Sequence, residues 1–327
     1  MARALHRWLW KSAPELHISL VCRDRPTLTG PRLSWFYDGI WWPKFLHRVR
    51  NGLSSNEHQY LFLGGGAILR SSTGIDWKSD ILRSFKKKSH NKALGISLSV
   101  GPFKDAGAES RCAQAISFLD KALVRDVYSL NFFKQHAPTV PVRLCYDIAA
   151  LESLEGATEF PVGLVLMEPK TIDEKKWLDD MMGALRKKFS TLNFFVFCAH
   201  EEMKPSGYLR FLQKPGDTVH VYDGDIDAFL KKLANCGAIV AGRFHGAVLA
   251  RAMGKPFISC PPTETAHKHV EFMKSFPCDN FAGVWEVGAG HVSEAVAALE
   301  HRLTLNVGGD RLELQQEIRQ NLAWLMA

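Results

Sequence analysis

The alternation of apolar and polar residues from residue 59 onward predicts strands and helices that follow one another in turn. Short apolar runs are typical of buried strands, and longer segments with apolar residues three or four apart are typical of helices. The predicted strands cover residues 59–63, 93–99, 122–125, 142–146, 162–167, 193–198, 218–222, 238–241 and 255–260. The predicted helices cover residues 107–120, 172–189, 226–234, 244–253, 293–303 and 309–326, and two others begin near Ala67 and Ser129. This alternation favours an α/β fold with parallel sheets.

A polar segment at residues 151–160, with little periodicity, interrupts the alternation. Domain boundaries fall in such segments, so we predict one domain at 1–150 and a second at 151–327. The chain length of 327 residues supports this division, because a single core rarely grows beyond about 250–300 residues. The last helix is a candidate to cross back onto the first domain.

The most informative segment is 237–260. An apolar strand ends at Gly242, and a helix of small apolar residues follows and ends at Gly254. Glycine is a common helix terminator, and Pro256 prevents the helix from continuing. The first N–H groups of a helix have no partner within the helix, so the start of this helix is predicted to bind an anion.

Arg243 and His245 lie at that helix start. Arginine offers a permanently charged, forked donor for phosphate or carboxylate, and histidine exchanges a proton near neutral pH. The alternative is a structural pair, in which the arginine binds a carboxylate and the histidine binds backbone. Their place at a helix start favours the functional interpretation.

Two weaker candidates lie in the first domain. Gly64-Gly65-Gly66 follows a predicted strand, where glycines allow a ligand or the backbone to approach closely. The segment is neither a dinucleotide-binding fingerprint nor a P-loop, and a tight turn is an equal alternative. The second candidate is Arg125, with Asp126 to orient it and Ser129 to cap a helix. A structural Arg–Asp pair is the alternative there.

The net charge of +7 favours anionic partners without choosing among them. The only dense basic run is Lys86-Lys87-Lys88, and solvated surface charge explains it better than a nucleic-acid interface. Seven cysteines without a Cys-x-x-Cys pair favour buried free thiols and a cytoplasmic location. Residues 35–46 are rich in aromatics and are a candidate contact for a membrane surface or lipid carrier, although core packing or a surface between domains is favoured.

In order along the chain, these segments resemble the polysaccharide pyruvyl transferase family. The matching residues are Gly64-Gly65-Gly66, Ser99 with Gly101-Pro102, Arg125-Asp126 with Ser129, Asp147 near Ala149, Gly242-Arg243-Phe244-His245, and Gly254-Lys255-Pro256-Phe257. The Arg-x-His segment with its trailing Gly-x-Pro is the most specific part.

The resemblance implies a fold similar to the GT-B glycosyltransferases, with two Rossmann-like lobes facing a cleft. It implies transfer of a pyruvyl group from phosphoenolpyruvate to a sugar of an exopolysaccharide or other glycan, as a ketal, with no cofactor and no obligatory metal. Phosphoenolpyruvate would bind the C-terminal lobe through Arg243, His245 and Lys268, helped by Arg125 of the N-terminal, acceptor-side lobe. The resemblance also implies that the following residues bind substrate: Gly64, Gly65, Gly66, Asp126, Ser129, Gly242 and Phe244.

Departures from the family pattern concern the acceptor side. The usual Gly-x-x-Asn-x-Gly-Asp opening is missing, and Asp147-Ile148-Ala149 replaces Asp-Pro-Ala. Three alternatives therefore stay open: a GT-B glycosyltransferase with a nucleotide-sugar donor, a non-catalytic anion-binding protein, and a nucleic-acid-binding module. The acceptor can be a free, polymeric or lipid-linked sugar, the last at the inner face of the membrane. The sequence does not fix the oligomeric state or the role of residues 1–58.

Overall fold

The structure, a computed structural model, divides the chain into two compact units. It describes residue 8 and residues 18–22, 33–37, 60–69, 72–87, 91–197, 207–289, 291–305 and 311–327. Unit 1 comprises Met1–Ile148 with Glu317–Ala327, and unit 2 comprises Ala149–Gln316. The side chains of the aromatic segment 35–46, Lys88 and Cys198 lie outside the described residues. The assignment of acceptor and donor sides to the two domains stays a prediction.

Unit 1 contains a parallel sheet with the strand order β3-β4-β5-β6. Its strands are β3 (Tyr60–Leu69), β4 (Lys92–Val100), β5 (Lys121–Val124) and β6 (Val142–Leu144). Its helices are α1 (Ser72–Phe85), α2 (Ala108–Ile116) and α3 (Val127–His136). Two short parallel strands precede them, β1 (Ile18–Cys22) and β2 (Leu33–Tyr37). Every residue of β4 after Lys92 is buried, as expected for a parallel strand covered on both faces.

Unit 2 contains a parallel sheet with the strand order β12-β11-β10-β7-β8-β9. Its strands are β7 (Phe160–Val165), β8 (Asn193–Val196), β9 (Thr218–Val221), β10 (Cys236–Ala241), β11 (Phe257–Ser259) and β12 (Phe281–Val284). A 3₁₀ helix (Ile148–Glu152) is followed by α4 (Ile172–Arg186), α5 (Tyr208–Phe211), α6 (Ile226–Ala234), α7 (Phe244–Ala252), α8 (Thr263–Ser275), α9 (Val292–Thr304) and α10 (Arg311–Met326). The predicted α/β fold with parallel sheets is confirmed.

The strand order of unit 2 contains a topological switch point between β7 and β10. The chain leaves β7 toward β8 and β9 on one side of the sheet, and then returns to build β10, β11 and β12 on the other side. The connections that follow β7 and β10 therefore diverge and open a crevice at the carboxyl ends of these two strands. Open α/β sheets bind ligands at such a crevice.

The triple glycine lies inside β3, so the prediction that it follows a strand is wrong. The parallel ladder to β4 continues through Gly64, which pairs with Ile96, and Gly66, which pairs with Leu98. The predicted helix start at Ala67 is also wrong, because β3 extends to Leu69. At Gly64 a side chain has no room, since a Cβ atom would lie 2.6 Å from the carbonyl oxygen of Ile96.

Helix α8 and strand β12 were not predicted. The buried side of α8 consists of Ala266, His269, Phe272 and Met273. A histidine within this apolar stripe, next to Lys268, weakens the helical pattern of hydrophobic residues. Strand β12 has only four residues, Phe281–Val284, all half-buried, and it lies at the edge of the sheet.

Side chains cap the predicted helices at defined positions. Asp225 caps α6 by accepting from the N–H of Ala228 at 3.0 Å. Thr171 and Glu174 form a reciprocal capping box at the start of α4. Asp126 caps α3 by accepting from the N–H of Ser129 at 2.7 Å, so the prediction that Ser129 is the capping residue is wrong.

The C-terminal end of α10 belongs to unit 1. Lys121 of β5 donates to the carbonyl oxygen of Trp324 at 3.1 Å, and the guanidinium of Arg143 lies 4.3 Å from the indole centroid. Cations near the end of a helix interact favourably with its exposed carbonyl groups and dipole. Neither α10 nor any other helix in the described ranges is long and apolar enough to cross a bilayer.

The cysteines whose side chains the structure describes are free thiols. Cys112, Cys145, Cys236 and Cys260 are buried and Cys278 is half-buried. Burial raises the pKa of Cys112 and of Cys236 to about 12, so both are neutral thiols at physiological pH. The prediction of buried free thiols holds for these four residues, and the cytoplasmic location stays a prediction.

We expect buried His220 to make stability depend on pH. Its ring packs against Phe160 and Phe195, with centroids 5.5 Å and 4.7 Å away, and burial, aided by Lys232, lowers its pKa. The unfolded chain binds a proton near pH 6.5, whereas the folded chain binds it at a lower pH. The stabilisation from neutral His220 is thus complete above pH about 6.5 and is lost as the pH falls from there through the folded-state pKa.

Urea unfolding of the wild type and of His220→Phe between pH 7.5 and 5 measures this effect. The variant is expected to lose less stability on acidification than the wild type. His301→Gln, which changes an exposed histidine, is the control and should follow the wild type. Parallel curves for wild type and His220→Phe would contradict the assignment.

Candidate functional site

The turn between β10 and α7 is attached to the end of β7. The N–H groups of Gly242 and Arg243 both donate to the carbonyl oxygen of Val165, at 2.7 Å and 3.1 Å. A Cβ atom at Gly242 would lie 3.2 Å from that same oxygen and 3.2 Å from the Cα of Leu166. Glycine at 242 therefore allows β7 and the turn to lie this close.

Arg243 is the N-cap residue of α7, with an extended backbone (φ −91°, ψ 141°). Its carbonyl oxygen accepts from the N–H of Gly246 at 2.9 Å. Arg243, Phe244 and His245 are half-buried, whereas Gly246 through Ala252 are buried. The first turn is thus the least buried part of α7, and it carries the predicted arginine and histidine.

Small residues hold the rest of α7 close to the sheet. At Gly246 a Cβ atom would lie 3.0 Å from the side chain of Val165. The buried residues Ala247, Val248, Leu249 and Ala250 continue this compact surface. The start of α7 therefore lies directly beside the end of β7, at the switch point.

Phe244 packs against α8. Its ring lies edge-on to His269 and Phe272, with centroids 5.6 Å and 5.1 Å away, and to His245 at 5.8 Å. Nδ1 of His269 hydrogen-bonds with Oγ of Ser259, and both residues are fully buried. Ser259 ends β11 and pairs with Ala241, the last residue of β10. This chain of contacts fixes Phe244, whose sequence neighbours are Arg243 and His245.

Lys268 lies on α8 and is half-buried. It precedes His269, which contacts Phe244, so the predicted lysine belongs to the helix that packs on the Arg-x-His turn. Adjacent helical residues point in different directions, and the contribution of Lys268 to a shared site stays a prediction.

The connection after β7 is held by two carboxylates. Glu168 accepts from the N–H groups of Tyr208 and Leu209, at 2.9 Å and 3.2 Å, and Glu174 accepts from the N–H of Thr171 at 3.2 Å. Lys170 lies between Glu168 and Glu174 in the sequence. It forms an ion pair with Glu264 of α8, with Nζ and Oε1 separated by 2.6 Å. This cation beside the switch point was not predicted, because its partner is remote in sequence.

In unit 1, Arg125 is the centre of a buried polar network at the carboxyl ends of β4, β5 and β6. Its Nη1 donates to Asp147 at 2.7 Å and its Nε donates to Ser99 at 3.1 Å, while Ser99 Oγ donates to Asp126. Only 3% of the Arg125 side chain and none of Asp147 is exposed. The ion-pair partner is Asp147, not Asp126 as the structural alternative supposed.

Ser129 also belongs to this network. Its Oγ accepts from the N–H of Val100 at 2.9 Å and so links the start of α3 to the end of β4. Arg125, Asp126 and Ser129 are thus brought together within unit 1, and Gly242, Arg243, Phe244 and His245 within unit 2. Gly64, in contrast, pairs inside the sheet of unit 1. The binding roles proposed for all of these residues stay predictions.

Among the described residues, no three His, Cys, Asp or Glu side chains are grouped as metal ligands. The described turn at Gly242–His245 offers a guanidinium, an imidazole and the positive end of the α7 dipole. This set suits an anion and a proton transfer.

Comparison with protein families gives a match to the family described as polysaccharide pyruvyl transferase, over residues 1–263. The matched range includes Arg125, Arg243 and His245 but ends before Lys268. A comparison with curated protein sequences gives no significant match.

Several solved structures share the fold. The UDP-GlcNAc 2-epimerase of Methanocaldococcus jannaschii has a TM-score of 0.58 and 10% identity, with 94% of this chain and 99% of that chain covered. Arabidopsis thaliana UGT89C1, complexed with UDP-L-rhamnose, has a TM-score of 0.57 and 11% identity, with coverage of 97% and 89%. Os79 from O. sativa, in complex with UDP and deoxynivalenol-3-glucoside, has a TM-score of 0.56 and 12% identity, with coverage of 100% and 92%. The predicted likeness to GT-B-type folds is confirmed.

We expect Asp147→Asn to destabilise unit 1 strongly, because it removes the buried carboxylate that forms the ion pair with Arg125. Breaking a buried ion pair costs about 3–5 kcal/mol, whereas an exposed pair contributes about 0–1 kcal/mol. Asp76→Asn is the matched control, because Asp76 forms an exposed ion pair with Arg111 in the same unit. Urea unfolding of both variants measures the difference, and equal losses of stability would contradict this interpretation.

Proposed function

Because this chain belongs to the polysaccharide pyruvyl transferase family, we propose that it transfers a pyruvyl group from phosphoenolpyruvate to a sugar of a glycan, as a ketal. The family supplies the coarser statement, a transferase that acts on polysaccharide. The donor and the ketal are our proposal. The observation that carries it is the half-buried Arg243 and His245 at the start of α7, beside the switch point of unit 2.

The chemistry of this turn suits the donor. Phosphoenolpyruvate carries a carboxylate and a phosphate, and the forked guanidinium of Arg243 can bind either one with two hydrogen bonds. The positive end of the α7 dipole favours the other negative group. We propose that Arg243 and the helix start hold the donor beside His245.

His245 is the proposed acid and base. It donates a proton to the methylene carbon of phosphoenolpyruvate, and the electron pair of the C=C bond forms the new C–H bond. A sugar hydroxyl then attacks the cationic neighbouring carbon and gives its proton back to His245. The C–O bond to phosphate breaks and phosphate leaves with the electron pair. A second hydroxyl of the sugar closes the ketal, and its proton goes to the phosphate.

Arg125 and Lys268 keep the donor-binding roles that the family resemblance gives them, as part of the proposal. The ion pair with Asp147 supports an organising role for Arg125 as well, because it joins the ends of β5 and β6. The acceptor, whether free, polymeric or lipid-linked, and action at the inner face of the membrane belong to the proposal too.

Incubation of the purified protein with phosphoenolpyruvate and a panel of sugars, followed by phosphate release and product mass, tests the reaction. The expected product is a sugar that has gained a pyruvyl ketal. We expect His245→Ala to lower kcat by about 10²–10⁴, because that is the usual contribution of a general acid or base. Arg243→Gln should mainly raise the KM for phosphoenolpyruvate.

His301→Ala is the matched control, because His301 is an exposed histidine on α9 of the same unit. It should leave turnover unchanged. Near-full activity of a folded His245→Ala protein would exclude the acid–base role. Binding of a nucleotide sugar, with no binding of phosphoenolpyruvate, would instead favour a glycosyltransferase.

A further inference from the structure

The ion pair between Lys170 and Glu264 links the two chain segments that flank the start of α7. Lys170 lies in the connection that follows β7, directly before the N-cap Thr171 of α4. Glu264 lies in the first turn of α8, which follows β11. In the sheet, β7 and β11 are the two neighbours of β10. The pair therefore joins the segments that follow the two neighbours of β10, the strand that leads into the turn at Gly242 and Arg243.

Stability does not explain this ion pair. The Lys170 side chain is 60% exposed and that of Glu264 is 53% exposed. Exposed ion pairs contribute about 0–1 kcal/mol, because water screens the charges and both side chains lose conformational freedom. A pair this weak can open at little cost when a stronger anion competes for the lysine.

The charge of the proposed donor calls for such a lysine. Phosphoenolpyruvate carries a carboxylate and a phosphate, whereas Arg243 is the one permanently charged side chain of the Gly242–His245 turn. Ligands in a sheet of this topology lie between the connections that leave the two strands at the switch point. Arg243 belongs to the connection after β10 and Lys170 to the connection after β7. The two cations thus belong to the two connections that leave the sheet at the switch point.

We propose that Lys170 is a further donor-binding residue, which Glu264 holds in the empty site and which exchanges Glu264 for an oxyanion of the donor on binding. The proposal rests on the proposed function, since it concerns the same donor. Glu264 acts as an internal competitor that lowers the affinity for the donor. The two partners of one ion pair then have opposite effects on binding.

This opposition separates the proposal from a purely structural link. Lys170→Gln removes a ligand of the donor and should weaken phosphoenolpyruvate binding about tenfold, the usual effect of losing a charged hydrogen bond. Glu264→Gln removes the competitor and should tighten binding about two- to fivefold. If the pair only joins α4 and α8, either substitution breaks the link equally and both shift binding in the same direction.

Isothermal titration of the full chain with phosphoenolpyruvate measures the dissociation constants of the wild type, Lys170→Gln and Glu264→Gln. Lys176→Gln and Asp180→Asn are the matched controls, because Lys176 and Asp180 form an exposed ion pair within α4 and the substitutions change the charge equally. Both controls should bind as the wild type does. Unchanged binding by Lys170→Gln, or weaker binding by both Lys170→Gln and Glu264→Gln, would overturn the proposal.

A second titration, with UDP, separates this proposal from the proposed function. If the wild type binds UDP and not phosphoenolpyruvate, the proposed donor is wrong. Opposite shifts of the two variants with UDP would then still support Lys170 as a ligand of the donor's oxyanion. The role of Lys170 would be overturned if the two variants did not shift the dissociation constant in opposite directions for the compound that binds. It would also be overturned if neither compound bound.

Discussion

The carbonyl oxygen of Val165 accepts from both Gly242 and Arg243, and the arrangement of the candidate site depends on these two hydrogen bonds. They attach the end of β10 to the end of β7 at the point where the strand order reverses. Gly242 permits this approach because a Cβ atom there would crowd the backbone of β7. The helix that follows begins at the switch point, so the positive end of its dipole, the guanidinium of Arg243 and the imidazole of His245 lie where a sheet of this type binds ligands.

Three surrounding contacts keep this turn in place. The buried Ser259–His269 pair supports the ring of Phe244, the carboxylates of Glu168 and Glu174 hold the connection after β7, and small residues let α7 lie against Val165. The proposed acid–base role of His245 needs such support, because proton transfer requires the donor and acceptor within hydrogen-bond distance. Lys170 differs from these residues, since its side chain is exposed and its partner is weakly held.

Unit 1 organises its strand ends in another way. Arg125 lies within a buried network with Ser99, Asp126 and Asp147, and it connects the carboxyl ends of three strands. The sequence suggested an arginine that reaches a ligand, or an Arg125–Asp126 pair. In the structure, Arg125 forms its ion pair with Asp147, and Asp126 caps α3. A buried charge needs a partner whatever its function, so the residue type alone did not separate these roles.

The sequence alone determined the strand–turn–helix at 237–252, the parallel α/β class and most helices, because apolar periodicity, glycines and caps act locally. The sequence-based prediction was wrong at Gly64, where pairing with β4 continues β3 through glycines that usually end a strand. It also missed α8, whose buried side includes His269. The tertiary structure decided the rest. The order of β7, β10 and β11, the Ser259–His269 contact and the Lys170–Glu264 pair join residues far apart in the chain, and only the pairing of strands in the folded sheet brings such residues together.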